Sequence, residues 1–228
     1  MRNVHSISDG HLNTAKLAAA LGFAALLVAC TLGQQAREPP ASYDLGPPRP
    51  YSQMNPGIRM ALLIPAIVAP TWLDGQGIAY RLNYVDAARP QAYANSRWAA
   101  SPAQLLTQRI RSRFAAAAVG IVTGGDSARA DYALRIELDD FSQSFDALNQ
   151  SRVAVRARAT LVDLASHTLH AQRTFGVERP AEPNAAGAVR ALGEASDALI
   201  EELLGWTARN LKDIVSKQGT GPERKKML

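Results

Sequence analysis

The chain has 228 residues, 47% of them hydrophobic and 20% charged, which suits one folded domain once a leader and a linker are set aside, and excludes a largely disordered protein. The formal net charge of +5 falls to +4 without the first 29 residues, and the basic side chains are scattered (Arg109, Arg111, Arg113; Arg152, Arg156, Arg158; Lys225, Lys226). With only 6% aromatic residues, that scatter argues against a nucleic-acid partner, and a single cysteine excludes an intramolecular disulfide.

Lys16 precedes an apolar run, residues 17–28, that is long enough for the core of an export signal and short of the roughly 20 residues a membrane span requires. The run ends in Leu27-Val28-Ala29-Cys30, which resembles the lipobox of bacterial lipoproteins. The resemblance implies that residues 1–29 are removed, that Cys30 carries thioether-linked diacylglycerol and an N-acyl chain, and that the mature protein is anchored in the envelope facing the periplasm. Each buried methylene contributes about 0.8 kcal/mol, so several acyl chains hold a soluble domain firmly. Thr31, in place of the Asp that resembles an inner-membrane retention signal, leans toward the outer membrane.

Residues 30–57 read as a linker, with six prolines (Pro39, Pro40, Pro47, Pro48, Pro50, Pro56), within which residues 42–46 alternate like an edge strand. That edge, Tyr43 to Leu45, offers a route to homo-oligomers. The domain proper is expected over residues 58–217, with a frayed tail at 218–228. Arg59 to Ala66 reads as a strand apolar on both faces, Gly77 to Val85 as an alternating strand, and Tyr93 as the start of a short third one. Ser101 as N-cap and Pro102 at the first helical position open a helix whose stripe is Leu106, Ile110 and Phe114, continuing to Gly120.

Three strands follow: Tyr132 to Ser142, Arg152 to Asp163 and His167 to Glu178. They are separated by a polar loop at Phe145 to Gln150 and a hairpin-sized turn at Asp163 to His167. Because parallel neighbours require crossovers of a dozen residues or more, a meander is the economical arrangement. The last element is a long amphipathic helix from Asn184 to Ser216. The expected fold is therefore α+β: a mainly antiparallel sheet with two helices packed on it, preceded by a lipoprotein signal and a Pro-rich linker.

Few residues carry chemistry. Only His167 and His170 follow the leader, and their i, i+3 spacing on a strand points them to opposite sides, so no metal or other cofactor is expected. Asp139-Asp140 is a carboxylate pair on adjacent strand positions, unsuited to shared acid–base work. No catalytic residue is assigned. Two aromatic segments stand out instead, Trp72 to Arg81 and Asn95 to Ala99; exposed aromatics with arginine mark interfaces, which makes Trp72, Arg81, Arg97 and Trp98 candidate partner contacts, with satellite core packing the alternative.

Tyr43-x-Leu45, the strand ending Leu63-Ile-Pro65, Trp72-Leu-Asp74 with Ile78-Ala-Tyr-Arg81, and Ser96-Arg-Trp-Ala99 ahead of Pro102 and Leu105-Leu106 together resemble the ABC-type transport auxiliary lipoprotein family. The likeness runs from Tyr43 to Leu211 and is specific between Tyr43 and Phe114. It implies a non-enzymatic α+β lipoprotein working beside ABC transporter subunits and an MCE-family protein that move lipids or hydrophobic solutes across the envelope; whether lipid itself enters a groove beneath the last helix stays open. The alternative is a structural envelope lipoprotein that assists assembly of another membrane or secretion complex.

Overall fold

The computed structural model describes residues 39–50, 57–124 and 128–219; the expected leader, Cys30 and the last nine residues lie outside them. Eight strands form one sheet: β1 (Ala41–Tyr43), β2 (Ile58–Leu63), β3 (Gly77–Leu82), β4 (Ala87–Trp98), β5 (Ala118–Val122), β6 (Tyr132–Ala147), β7 (Gln150–Asp163) and β8 (Thr168–Ala181). A helical turn, α1 (Asn83–Asp86), joins β3 to β4; α2 (Pro102–Ala115) follows β4, and α3 (Ala185–Gly219) follows β8.

The sheet is organised around β6. Along one edge β6 pairs with β7 over its whole length, antiparallel, and β7 pairs with β8 in the same sense. Its other edge is shared by several partners in series. Tyr132 and Ala133 pair with Leu62 and Leu63 of β2, Glu137 bridges Val68, and Gln143 to Phe145 pair with Tyr80 to Leu82 of β3, all parallel. β5 lies parallel outside β2, while β4 and then β1 lie outside β3, antiparallel and parallel respectively.

The sheet is therefore mixed, which corrects the expected mainly antiparallel one. The crossover argument holds for strands consecutive in sequence, and β6 to β8 obey it. It does not hold for β2, whose neighbours β5 and β6 come after a long connection that contains β3, β4 and α2 and has ample length for parallel pairing.

Several element bounds shift for local reasons. The helix after Ser101 stops at Ala115, and the small residues beyond it form the unanticipated edge strand β5. Its start is as expected, with a reciprocal cap between the Ser101 hydroxyl and the Gln104 backbone and between the Gln104 side chain and the Ser101 N–H, and Pro102 at the first helical position. Tyr93 lies within a twelve-residue strand rather than opening a short one. The polar segment Phe145 to Gln150 is no loop: it is two strand ends joined by a turn of two residues, Leu148 and Asn149.

In β6 the buried phase changes. Leu134, Ile136 and Leu138 face the helices, a bulge follows between Leu138 and Asp140, and beyond it Phe141, Gln143 and Phe145 take over that face. On β7, Val153, Val155, Ala157, Ala159 and Leu161 continue the buried face, and Phe175 of β8 meets Trp206 of α3 edge to face at 5.7 Å. Gln143, fully buried, donates to the Ser151 hydroxyl and the Glu182 carbonyl (both 2.8 Å) and accepts from the Tyr93 hydroxyl at 2.6 Å, so its amide ties β6, β7, β4 and the entry to α3 together. Burial, with Tyr80 nearby, pushes the Tyr93 phenol up to about 12.

Part of the Pro-rich linker is folded. Leu45 is buried between the helices, and the Arg109 guanidinium of α2 donates to the Leu45 and Gly46 carbonyls (3.0 Å each) and to Asp197 of α3 (2.8 Å). Asp197 also accepts the Arg49 backbone N–H at 3.0 Å, and Arg49 pairs with Glu194 at 2.5 Å. Residues 45–49 thus form a strap bound to both helices. Gly193 of α3 permits it: a Cβ there would stand 2.7 Å from the Leu45 carbonyl oxygen.

Candidate functional site

With α2 and α3 on one face, the other face of β6, β7 and β8 carries the alternate, polar residues. Arg158 pairs with Glu137; Arg156 pairs with Glu178 at 2.6 Å; Arg152 joins Glu178 at 3.2 Å and also Asp146. These side chains are all roughly half exposed, so the face is a solvated lattice in which each pair contributes at most about 1 kcal/mol.

At its centre the exposure falls. Asp140 accepts the Ser142 hydroxyl at 2.7 Å, Ser142 is buried, and burial holds the Asp140 carboxyl above its usual range despite the Ser142 hydrogen bond and the opposing charges of Arg156 and Arg81. Arg81 comes to this face because it pairs in parallel register with Ser144, two residues after Ser142. Its guanidinium lies 4.8 Å from the centre of the Trp72 ring and donates to the Ala87 carbonyl at 3.1 Å. Trp72 sits in a 3-10 turn, Thr71–Leu73, on the connection from β2 to β3, fastened beneath by buried Leu73. Two of the sequence candidates, Trp72 and Arg81, are thus brought together beside Asp140, Ser142 and Arg156, which the sequence reading did not select.

The other two separate. Arg97 is exposed near the end of β4, opposite Gly77 of β3 and Ser42 of β1. Trp98 is 0% exposed and meets Phe141 edge to face at 5.6 Å, with its indole N–H unpaired. As a partner contact Trp98 is corrected: its side chain is core, packed against Phe141 of β6. His167 (φ 57°) and His170 lie around the β7–β8 hairpin, exposed, with His170 at 5.9 Å from the Tyr132 ring.

The ingredients of the polar face are arginines already paired, one half-buried carboxyl and an aromatic–arginine stack. They suit recognition of a charged, partly apolar surface.

A family model described as ABC-type transport auxiliary lipoprotein component matches residues 43–203. The chain belongs to that family. The match begins at Tyr43, the last residue of β1, and ends within α3, so the strap, the Trp72–Arg81 stack and the polar face all lie in the family domain. The family is that of auxiliary lipoproteins of ABC-type transport, and the protein is accordingly a lipoprotein component of such a system. Among solved structures, a Xanthomonas campestris protein of the family DUF330 is similar with a TM-score of 0.65 and 21% identity, over 78% of this chain and 97% of that one. An uncharacterized protein is similar with a TM-score of 0.57 and 17% identity, over 75% and 99%. At these identities the likeness is one of fold. No curated protein matches the chain.

Proposed function

We propose that this lipoprotein is a non-enzymatic subunit of an ABC/MCE-type system that moves lipids or hydrophobic solutes across the cell envelope. In this reading Cys30 carries the lipid anchor, the domain faces the periplasm from the outer membrane, and Trp72, Arg81 and Arg97 contact the transport partner. The observation that carries the reading is the family match over residues 43–203 behind a Leu27-Val-Ala-Cys30 lipobox. The polar face supports a binding role, since its charges are set in pairs around an arginine stacked on tryptophan, a combination enriched where proteins meet.

The test is purification of the tagged full chain from its own envelope, with mass spectrometry of what accompanies it. The reading expects permease, ATPase or MCE subunits with the native chain and several-fold less with Arg81→Ala/Arg97→Ala, which leaves Trp72 in place on the core, with a thermal midpoint close to that of the native chain. Recovery of assembly factors alone would remove the transport assignment.

A further inference from the structure

Beyond the paired polar face, one end of the sheet exposes apolar side chains. In α1, Tyr84 is 45% and Val85 69% exposed, and in the β6–β7 turn Leu148 is 74% exposed. The two loops are neighbours: Asn83, next to Tyr84, donates to Asp146, two residues before Leu148, at 2.9 Å. Half of the six large apolar residues exposed among the described residues therefore meet at this tip. We propose that the tip inserts into the surface of the bilayer to which the chain is anchored, with Tyr84, Val85 and Leu148 as the inserted side chains; the proposal rests on the lipid-anchored reading above.

Three observations favour lipid as the occupant. The side chains sit on two narrow turns rather than on a flat face, and three of them cover far less than the roughly 800 Å² per partner of a stable protein interface. Shallow insertion by an anchored domain requires much less, because the anchor supplies the effective concentration. Their chemistry is interfacial: two aliphatic side chains, and a tyrosine whose hydroxyl can stay among headgroups.

Finally, the tether is long enough. Ala41 pairs with Ser96, whose neighbour Arg97 lies opposite Gly77 at the start of β3. The six residues of β3 separate that level from α1, a distance of about 20 Å at roughly 3.3 Å per residue. Cys30 precedes Ala41 by eleven residues, a reach of at most about 36–40 Å. The anchor therefore leaves enough length for the tip to touch the same membrane.

The test uses the full lipidated chain. With Cys30 held as a thioether, Asn149→Cys gives one free thiol beside Leu148 for an environment-sensitive NBD label, and Ser166→Cys gives one in the opposite hairpin. On vesicles of phosphatidylethanolamine and phosphatidylglycerol, 3:1 (on the order of membrane-like anionic content), the label at 149 should shift to the blue and be quenched by nitroxide-bearing lipid, and the label at 166 should do neither. Adding Val85→Asp and Leu148→Asp should abolish most of the quenching at 149 while flotation with the vesicles persists. A chain that floats with an aqueous label at 149 overturns the insertion while leaving the anchor standing. Failure to float, with an aqueous label, overturns both. A label that stays aqueous on vesicles and is protected only when the transport complex is added overturns lipid docking in favour of a protein contact.

Discussion

Replacing Arg109 by leucine tests the strap most severely. The wild-type guanidinium joins α2, α3 and the strap at once, and both it and Asp197 are largely buried. Arg109→Leu leaves the Asp197 carboxylate, 4% exposed, with the Arg49 N–H at 3.0 Å as its remaining donor and strips two carbonyls of theirs. Removing one partner of a buried pair costs about 3–5 kcal/mol, which for a domain of this size lowers the thermal midpoint by roughly 6–20 °C at about 2–4 °C per kcal/mol. The pair itself need not be strongly stabilising, because apolar replacement of both partners is often neutral. Arg109→Leu/Asp197→Leu should therefore recover about 2 kcal/mol of the loss, keeping a deficit of about 1–3 kcal/mol from the two carbonyls and the Arg49 N–H left without these partners. Urea unfolding of the full chain measures both. A single-variant cost below about 1 kcal/mol, the range of a surface pair, would refute the reasoning.

Other consequences are measurable in the same way. Gly193→Ala should raise cleavage within residues 45–49 in limited proteolysis, because its Cβ would stand 2.7 Å from the Leu45 carbonyl; the gain of up to about 1 kcal/mol in helix propensity should not offset the displaced strap. Gln143→Leu should cost about 2–4 kcal/mol, since the Tyr93 hydroxyl and the Glu182 carbonyl lose a partner in the core. Trp98→Ala should lose about 3–5 kcal/mol and unfold the domain rather than report on a partner. Asp140 has its pKa raised in the fold, so it binds more protons folded than unfolded between the ordinary aspartate value and the raised one. Its contribution is present below that window and is lost as pH rises through it, and Asp140→Asn should flatten that part of the stability profile.

Much of this fold is written in local patterns. The N-cap at Ser101 with Pro102 behind it, the stripe of Leu106, Ile110 and Phe114, and the position of β7 each follow from a short stretch of chain, and each appears where the pattern puts it, whereas Leu169 at the start of β8 is exposed. The sheet's parallel pairings do not, because they depend on which strands meet after long connections. The bulge in β6 was legible in principle: Leu134, Ile136 and Leu138 alternate in one phase and Phe141, Gln143 and Phe145 in the other, and a change of phase within one strand requires an inserted residue. Reading through it would have shown that Phe145 belongs to a strand.

The site divides along the same line. Trp72 and Arg81 stood out as an aromatic and an arginine flanking glycines, and they do stack. Trp98 stood out by the same signal and is core, since composition cannot separate an exposed aromatic from one that fills the sheet beneath a helix. The Asp140, Ser142 and Arg156 cluster depends on cross-strand register after the bulge, and the strap depends on contacts between residues 45–49 and helices 60 to 150 positions later. Neither carries a local signature.

The central claim, that this lipoprotein acts as an auxiliary component touching a transport complex through the Trp72–Arg81 face, is tested most directly by photo-crosslinking in living cells. A photoreactive residue at position 74, exposed at the end of the turn that carries Trp72 and leaving Arg81 intact, is compared with one at position 166 on the β7–β8 hairpin. The account predicts an adduct from position 74 that contains an ABC or MCE subunit and none from position 166. Adducts only with unrelated envelope proteins, or equal labelling of transport subunits from both positions, would contradict it.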